Sequence, residues 1–295
     1  MFFRRAPLFA YNRRYKLSSL TLISLPIGNL KDITLRAIEV LNSGDCFYAE
    51  DTRVFKKLLQ SLEIDYSSKF IDSFHEHSEG KIIGIVEKIK AGVNVYLVSD
   101  AGSPVISDPA YPLLKKMREE GIEIKTIPGV TSVITALELS GLPPRPFHFW
   151  GFISRSKNER RDFFNELSLR PGTHIFFESP HRIFETIESF FQVMPEEELV
   201  VTRELTKIYE SVYRITKNNY SEIQKMIIDK GEFVVLFHIE ALKNSPINNS
   251  EIVEMVKDYM EGGGGPKKLA KIFSKILGVD TKTVYDQLVL STKKG

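Results

Sequence analysis

Apolar and polar residues trade places along this chain in two rhythms, one of strand length and one of helical spacing. "LTLISLP" (20–26) is a compact apolar run that predicts a buried strand. "ITLRAIEVLNSG" (33–44) repeats its apolar positions at helical spacing and predicts a helix, with Asp32 as N-cap and Gly44 beyond its end. The alternation recurs as "CFYAE" (46–50) with "RVFKKLLQSL" (53–62), then as "KIIGIVEKIKAG" (81–92) with "NVYLVSD" (94–100). "YPLLKKMREEG" (111–121), "IEIKTIPG" (122–129) and "TSVITALELSG" (131–141) continue it. Such alternation predicts an α/β fold with a mostly parallel sheet covered by helices on both faces.

"GLPPRPFHFWGF" (141–152) breaks the rhythm with three prolines and reads as an interdomain joint. Beyond it, "THIFFES" (173–179), "LVVTRE" (199–204), "YESVYRI" (209–215) and "GEFVVLFHIEA" (231–241) have the pattern of strands. "NERRDFFNELS" (158–168), "HRIFETIESFFQVM" (181–194) and "YSEIQKMIIDKG" (220–231) have that of helices. This is a second α/β domain, with the strands at 209–215 and 232–240 expected to pair antiparallel. "LKNSPINNS" (242–250) is a linker by composition. Three short helices follow, the last two joined at Gly278-Val279-Asp280, with Pro266 in a first turn, Asp280 as N-cap, and Ala270 and Val284 as packing residues. The expected division is a basic tail (1–17), an N-terminal α/β domain (18–142), a C-terminal α/β domain (143–243), and a linker with a small helical domain (244–295).

Composition narrows the class. The 295 residues are 42% apolar and 26% charged, an ordinary globular balance. One cysteine, Cys46, excludes an internal disulfide framework and a Cys-rich zinc site, which points to a reducing cytoplasm. No apolar run reaches the roughly 18–20 residues of a spanning helix, so no membrane partner is expected. The basic, aromatic start "MFFRRAPLFAYNRRYK" lacks the apolar core and cleavage site of a signal peptide. It reads as a loose tail or an upstream start, with an RNA-touching arm as the alternative. A net charge of +2 means that a polyanionic partner must be met by a local basic patch.

The chemistry gathers at strand ends, where open parallel sheets collect ligands. "PIGNL" (26–30) follows the first strand, "EDTR" (50–53) the second, "SDAGSPVISDP" (99–109) the fourth and "PGVTS" (128–132) the fifth. No G-x-x-x-x-G-K-[ST] and no G-x-G-x-x-G is present, so neither a P-loop nor a dinucleotide site is supported. The loops offer backbone groups and carboxylates but little positive charge. That suits a ligand bearing an amine, hydroxyls or a cation rather than phosphate.

In this order, "PIGNL", "EDTR", "VSDAGSP-ISDP", "PG-TS-ITAL--SGLP", "FFESPHR", "RELTK" and "GEFVVL" make the chain resemble the tetrapyrrole-methylase superfamily. Within it they resemble the branch called ribosomal RNA small subunit methyltransferase I, over roughly residues 20 to 240. The resemblance implies two α/β domains with S-adenosylmethionine in the cleft between them. It implies methylation of the ribose 2′-hydroxyl of a cytidine in the decoding region of 16S ribosomal RNA, with the small ribosomal subunit as partner, and a homodimer. By motif, the cofactor would lie against Pro26, Gly28, Ser99, Asp100, Ala101 and Gly102, flanked by Val105 and Ile106, with Thr131 and Ser132 beyond. Phe177, Gly231, Glu232 and Phe233 would close over it.

Methyl transfer to a hydroxyl needs alignment and removal of a proton. Carboxylates and a histidine at strand ends (Glu50, Asp51, Asp100, Glu178, His181, Glu204) are the candidate bases, with Glu50 and Glu178 the ones to watch. Arg53, Arg182, Arg203 and Lys207 sit beside these acids as candidate phosphate clamps or as structural partners of the carboxylates. His75 and His77 in "FHEHSEG" lack metal-ligand spacing; they read as part of a substrate-facing lid or a plain surface loop, and no metal is expected. Two other readings stay open: C-methylation of a small tetrapyrrole, and a nucleic-acid-binding regulator working through the helical tail.

Overall fold

The computed structural model describes residues 18–75, 79–106, 110–240, 250–277 and 280–292. The N-terminal tail, His77, the linker at 242–249 and the Gly278-Val279 joint lie outside the described residues.

The first sheet holds β1 (Ser19–Ile23), β2 (Cys46–Ala49), β3 (Phe70–Ser73), β4 (Val95–Val98) and β5 (Glu123–Ile127), in the order β3-β2-β4-β1-β5. Every pairing in it is parallel. Its helices are α1 (Leu35–Ser43), α2 (Thr52–Ser61), α3 (Glu79–Lys90) and α4 (Ala110–Glu119). One face packs Ile23, Phe47, Val98 and Ile127 under Ala37 and Leu41 of α1 and Phe55 and Leu59 of α2. The other packs Leu20, Tyr48 and Leu97 under Ile85 and Ile89 of α3 and Leu113 and Met117 of α4. The chain leaves β1 towards one face and β4 towards the other. These neighbours therefore flank the switch point where doubly wound sheets bind ligands.

α5 (Ser132–Ser140) follows the first sheet in sequence but packs on the second. Its Val133, Ala136 and Leu137 are buried with Ile175, Val200, Val234 and Leu236. Ile27 joins this shared core from the end of β1.

The second sheet holds β6 (Phe147–Phe152), β7 (Gly172–Glu178), β8 (Leu199–Arg203), β9 (Ser211–Ile215) and β10 (Phe233–Ile239), ordered β6-β7-β10-β8-β9. Only β6 and β7 pair in parallel. On its far face, α6 (Lys157–Leu167) and α7 (Ile183–Val193) bury Phe164, Ile187 and Phe190 against Phe176, Val235 and Phe237.

Several local expectations change. Asp32 lies in a 3-10 turn (Leu30–Asp32), and Thr34 caps α1, its hydroxyl accepting from Ala37 N at 3.1 Å. A turn closed by the Asn29 side chain comes first, so the helix starts later than its apolar pattern does. Within the stretch read as an interdomain joint (141–152), "FHFWGF" forms strand β6, because its aromatic residues find β7 as a partner. The segment at 209–215 does not pair with 232–240: β8 lies between them and runs opposite to both. The helix expected over 220–231 shrinks to α8 (Tyr220–Ile223).

One compact unit extends as far as Ile239 and a second begins at Glu240. The second contains α9 (Ser250–Glu261), α10 (Pro266–Leu277) and α11 (Thr281–Thr292), packed around Val256, Ala270, Val284 and Leu288. Among the described residues, no helix is long and apolar enough to cross a membrane.

Candidate active site

A cleft of about 480 Å³ opens where the carboxyl ends of β2 and β4 and the start of α5 face the end of β7 and the start of β10. Its apolar wall is Ile27, Ile106, Phe152, Phe177, Leu205, Phe233 and Val234. Its polar positions are Glu50, Asp100, Ser103, Thr131, Ser132, Glu178, Ser179 and Glu232, with backbone from Ala101, Gly102 and Gly231. Among the described residues, four carboxylates and no Lys, Arg or His line it.

The first-sheet rim is rigid for identifiable reasons. After β4 the chain turns through Gly102 at φ 69°, a left-handed position that favours glycine. Gly102 N donates to Leu25 O at 3.0 Å and Leu25 N donates to Gly102 O at 2.9 Å, which pins the loop across the end of β1. Ser99 is buried and braces the turn, its hydroxyl donating to Ala101 O at 3.1 Å. Asp51 N donates to Asp100 Oδ1 at 2.9 Å while Asp100 N donates to Glu50 Oε2 at 3.3 Å, so the two acidic strand ends hold each other. Loss of hydration pushes the Asp100 carboxyl up; the nearby Asp51 charge also raises it, against the lowering bond from Asp51 N.

The second-sheet rim is tied to it. Glu204 accepts from Lys207 Nζ at 2.9 Å and from Glu232 N at 3.0 Å. Burial alone would lower the Lys207 ammonium, but the hydrogen bond to Glu204 and the Glu232 charge outweigh it and hold Lys207 above the usual lysine value. Thr206 Oγ1 accepts from Asn29 N at 3.0 Å, joining the segments that follow β8 and β1. A Cβ on Gly28 would run into Lys207 Cγ and lie 2.9 Å from Thr206 Oγ1. Glycine is needed there for that close approach.

Of the residues singled out in the sequence, Glu50, Asp100, Ala101, Gly102, Ile106, Thr131, Ser132, Phe177, Glu178, Gly231, Glu232 and Phe233 come together in the lining. Pro26, Gly28, Ser99 and Val105 do not line it: Ser99 supports the turn from beneath, Gly28 meets the 205–207 loop, and Val105 is partly in solvent. Ile27, Ser103, Phe152, Ser179, Pro180, Leu205 and Val234 complete the cleft and were not anticipated. Most of them adjoin a quoted motif residue. Phe152 had no signal beyond its aromatic run.

Glu178 is almost fully buried, and its oxygens are occupied. It accepts from Thr186 Oγ1 and Ser179 N, each at 2.6 Å, and forms an ion pair with Arg182 Nη2, also at 2.6 Å. That is a structural anchor rather than a free proton acceptor, and it consumes Arg182 as well. Arg203 is also buried, donating to Lys230 O at 2.7 Å and Tyr209 O at 3.4 Å. Arg53 remains exposed, paired at 2.6 Å with Asp51, whose carboxyl that hydrogen bond holds well below its ordinary value. His75 is exposed at the end of β3. Among the described residues no His, Cys, Asp or Glu cluster could hold a metal ion.

The family model "Tetrapyrrole (Corrin/Porphyrin) Methylases" matches residues 19–219. A curated relative from Bacillus subtilis (strain 168), named Ribosomal RNA small subunit methyltransferase I, is 36% identical over 285 residues, covering 94% of this chain and 96% of the relative. This chain belongs to that family of tetrapyrrole methylases. Another relative of the same name, from Vibrio cholerae serotype O1, is 39% identical over 225 residues, 74% of this chain and 76% of its own length. Among solved structures, a diphthine synthase superposes with TM-score 0.60 at 16% identity, covering 75% of this chain and 90% of that one. A cobalt precorrin-4 methyltransferase gives 0.56 at 18% identity, covering 75% and 94%. At such identities these two speak for the fold alone.

The cofactor of this methyltransferase family is S-adenosylmethionine. The residues present fit it. With Glu178 and Glu232 paired to Arg182 and Lys207, the negative charge of Glu50 and Asp100 suits a sulfonium that also carries an ammonium, and it opposes a polyphosphate. The apolar wall offers Ile27, Leu205, Phe233 and Val234 to the purine, while Asp100 can accept from a ligand amine or hydroxyl.

Proposed function

We propose that this methyltransferase methylates the ribose 2′-hydroxyl of a cytidine in the decoding region of 16S ribosomal RNA, acting in the cytoplasm on the small ribosomal subunit. The reading is carried by a cleft lined, among the described residues, by Glu50 and Asp100 without a lining cation, in a chain whose relatives at 36–39% identity bear the name Ribosomal RNA small subunit methyltransferase I.

Bound S-adenosylmethionine supplies a methyl group made electrophilic by a positive sulfur. The protein contributes alignment and a place for the hydroxyl proton. The Gly102 turn, Ile27 and the Gly231–Phe233 segment hold the donor. Glu50 is the proton acceptor. It lines the cleft and takes a 3.3 Å bond from Asp100 N on one oxygen, and among the described residues no hydrogen bond reaches the other. Glu178 is committed to two hydrogen-bond donors and an ion pair, and Glu232 to Lys207, so neither matches it.

Incubating purified small subunits with tritiated donor tests the reading. Label should appear in an alkali-resistant dinucleotide, because a 2′-O-methyl group blocks attack on the adjacent phosphate. Label confined to bases would overturn it. So would turnover of uroporphyrinogen in place of RNA, the outcome expected of the tetrapyrrole chemistry in the family's name.

A further inference from the structure

Phe152 lies in the wall of the cleft and is nevertheless 63% exposed. The backbone is shaped to put it there. Phe149 of β6 stands opposite Ile175 of β7, but Phe152 stands opposite Phe177, so β6 carries one extra residue across that interval. Gly151, at φ 66°, lies within the irregularity. In an unbroken ladder Phe152 would point to the opposite face from Phe149. The extra residue returns it to the face shared with Phe177. Phe177 then packs against both rings in tilted-edge geometry, at 4.9 Å from Phe149 and 5.4 Å from Phe152. The ring is thus held in place while much of it is left to solvent.

Scattered exposed aromatics need no explanation. One that is braced on the wall of a binding cleft by a strand irregularity does. The cleft is concave, and a ribose 2′-oxygen reaches into it more readily from an unpaired nucleotide whose base has been splayed out than from the shallow groove of a duplex. The lost stacking then has to be regained on the protein, and aromatic rings serve this purpose for unpaired bases. The charge pattern agrees. Glu178 and Glu232 are paired with Arg182 and Lys207, but Glu50 and Asp100 add negative charge with no ion pair among the described residues, so the sugar and neutral base are the parts of a nucleotide suited to approach the cleft. Arg155 and Lys157 are exposed just beyond β6, where phosphates can be met outside.

We propose that Phe152 is the stacking platform for the unstacked base of the nucleotide whose ribose is methylated. The proposal rests on the RNA-methylating reading above and assigns a base-binding subsite to it.

The test compares wild type with Phe152→Ala and Phe152→Trp in the full-length protein. Initial rates are measured on purified small subunits with tritiated donor, and donor affinity is measured by calorimetry without RNA. Phe152→Ala should raise KM for subunits about tenfold to a hundredfold. Phe152→Trp should return KM to within about threefold of wild type, and the donor Kd should stay unchanged in both. An unchanged KM in Phe152→Ala overturns the proposal. A loss confined to donor Kd also overturns it and makes Phe152 part of the cofactor wall. A wild-type enzyme that labels no RNA defeats the functional reading itself, which is distinct from an active wild type matched by an equally active alanine variant.

Discussion

A carboxylate's neighbours decide whether it can take a proton, and Glu50 and Glu178 show the contrast within one cleft. Glu178 is wrapped by a hydroxyl, an amide and a guanidinium, whereas Glu50 carries a single long bond from Asp100 N. Glu50→Gln should therefore lower kcat on small subunits by about 100-fold or more, in the range of general-base removals. Donor Kd measured by calorimetry should rise by far less than that factor, since the amide keeps the size of the side chain and only one negative charge facing the cationic donor is lost. Gly28→Ala addresses a different residue-scale demand. Its methyl would collide with Lys207 Cγ and crowd the Leu205 carbonyl at 3.0 Å, so the 205–207 loop must shift. The expected result is weaker donor binding and a Tm lower by several degrees, equivalent to about 1–3 kcal/mol of overpacking. At this scale the sequence was informative about which residues gather and poor on what each does. "SDAGSP" and "EDTR" revealed strand ends. That Ser99, Arg182 and Arg203 spend their polar groups on backbone and carboxylate partners depends on burial, which motif spacing does not encode.

Elements were legible wherever one face is greasy and the other wet, as in α1 and α2, or where a short apolar run is buried on both faces, as in β1 and β2. They were missed where tertiary partners rule. β6 hid in a proline-rich stretch, and the expected 220–231 helix stops after Ile223. β7 and β10 carry a prediction of their own. His174 is fully buried, stacked on Phe237 at 4.9 Å; its Nδ1 accepts from Trp150 Nε1 at 3.2 Å, and its Nε2 lies 2.8 Å from Arg170 O. Burial lowers its pKa to about 4, despite the raising bond to Arg170 O. The folded state thus prefers the neutral ring, while the unfolded chain takes up a proton near the ordinary histidine value of about 6.5. Its contribution to stability is intact above that value and is lost as pH falls towards 4. Urea midpoints of the wild type should fall across that window, and His174→Gln should flatten this part of the profile while lowering stability at pH 7.

At the scale of the whole molecule, the helical unit beyond Ile239 carries a concentration of exposed cations. Lys267, Lys268, Lys271 and Lys275 are all exposed on α10, spaced so that they cluster along one side of the helix. Replacing Lys268, Lys271 and Lys275 with Glu should weaken subunit binding and flatten its salt dependence, by about one unit of log–log slope for each phosphate no longer neutralised. Donor Kd should be untouched. Filter binding at several salt concentrations reads this directly, and an unchanged slope would remove the tail from the RNA-binding surface.

The two lobes are also less separable than their order along the chain implies. α5 is the last helix of the first run of elements, yet Val133, Ala136 and Leu137 lie buried against Val200, Val234 and Leu236 of the other lobe's sheet. A polypeptide severed within the proline stretch after Leu142 would leave one fragment with a bare oily helix and the other with a bare oily sheet. Each fragment should be sticky and unstable alone, and co-expressed pieces should reassemble unaided into a working enzyme.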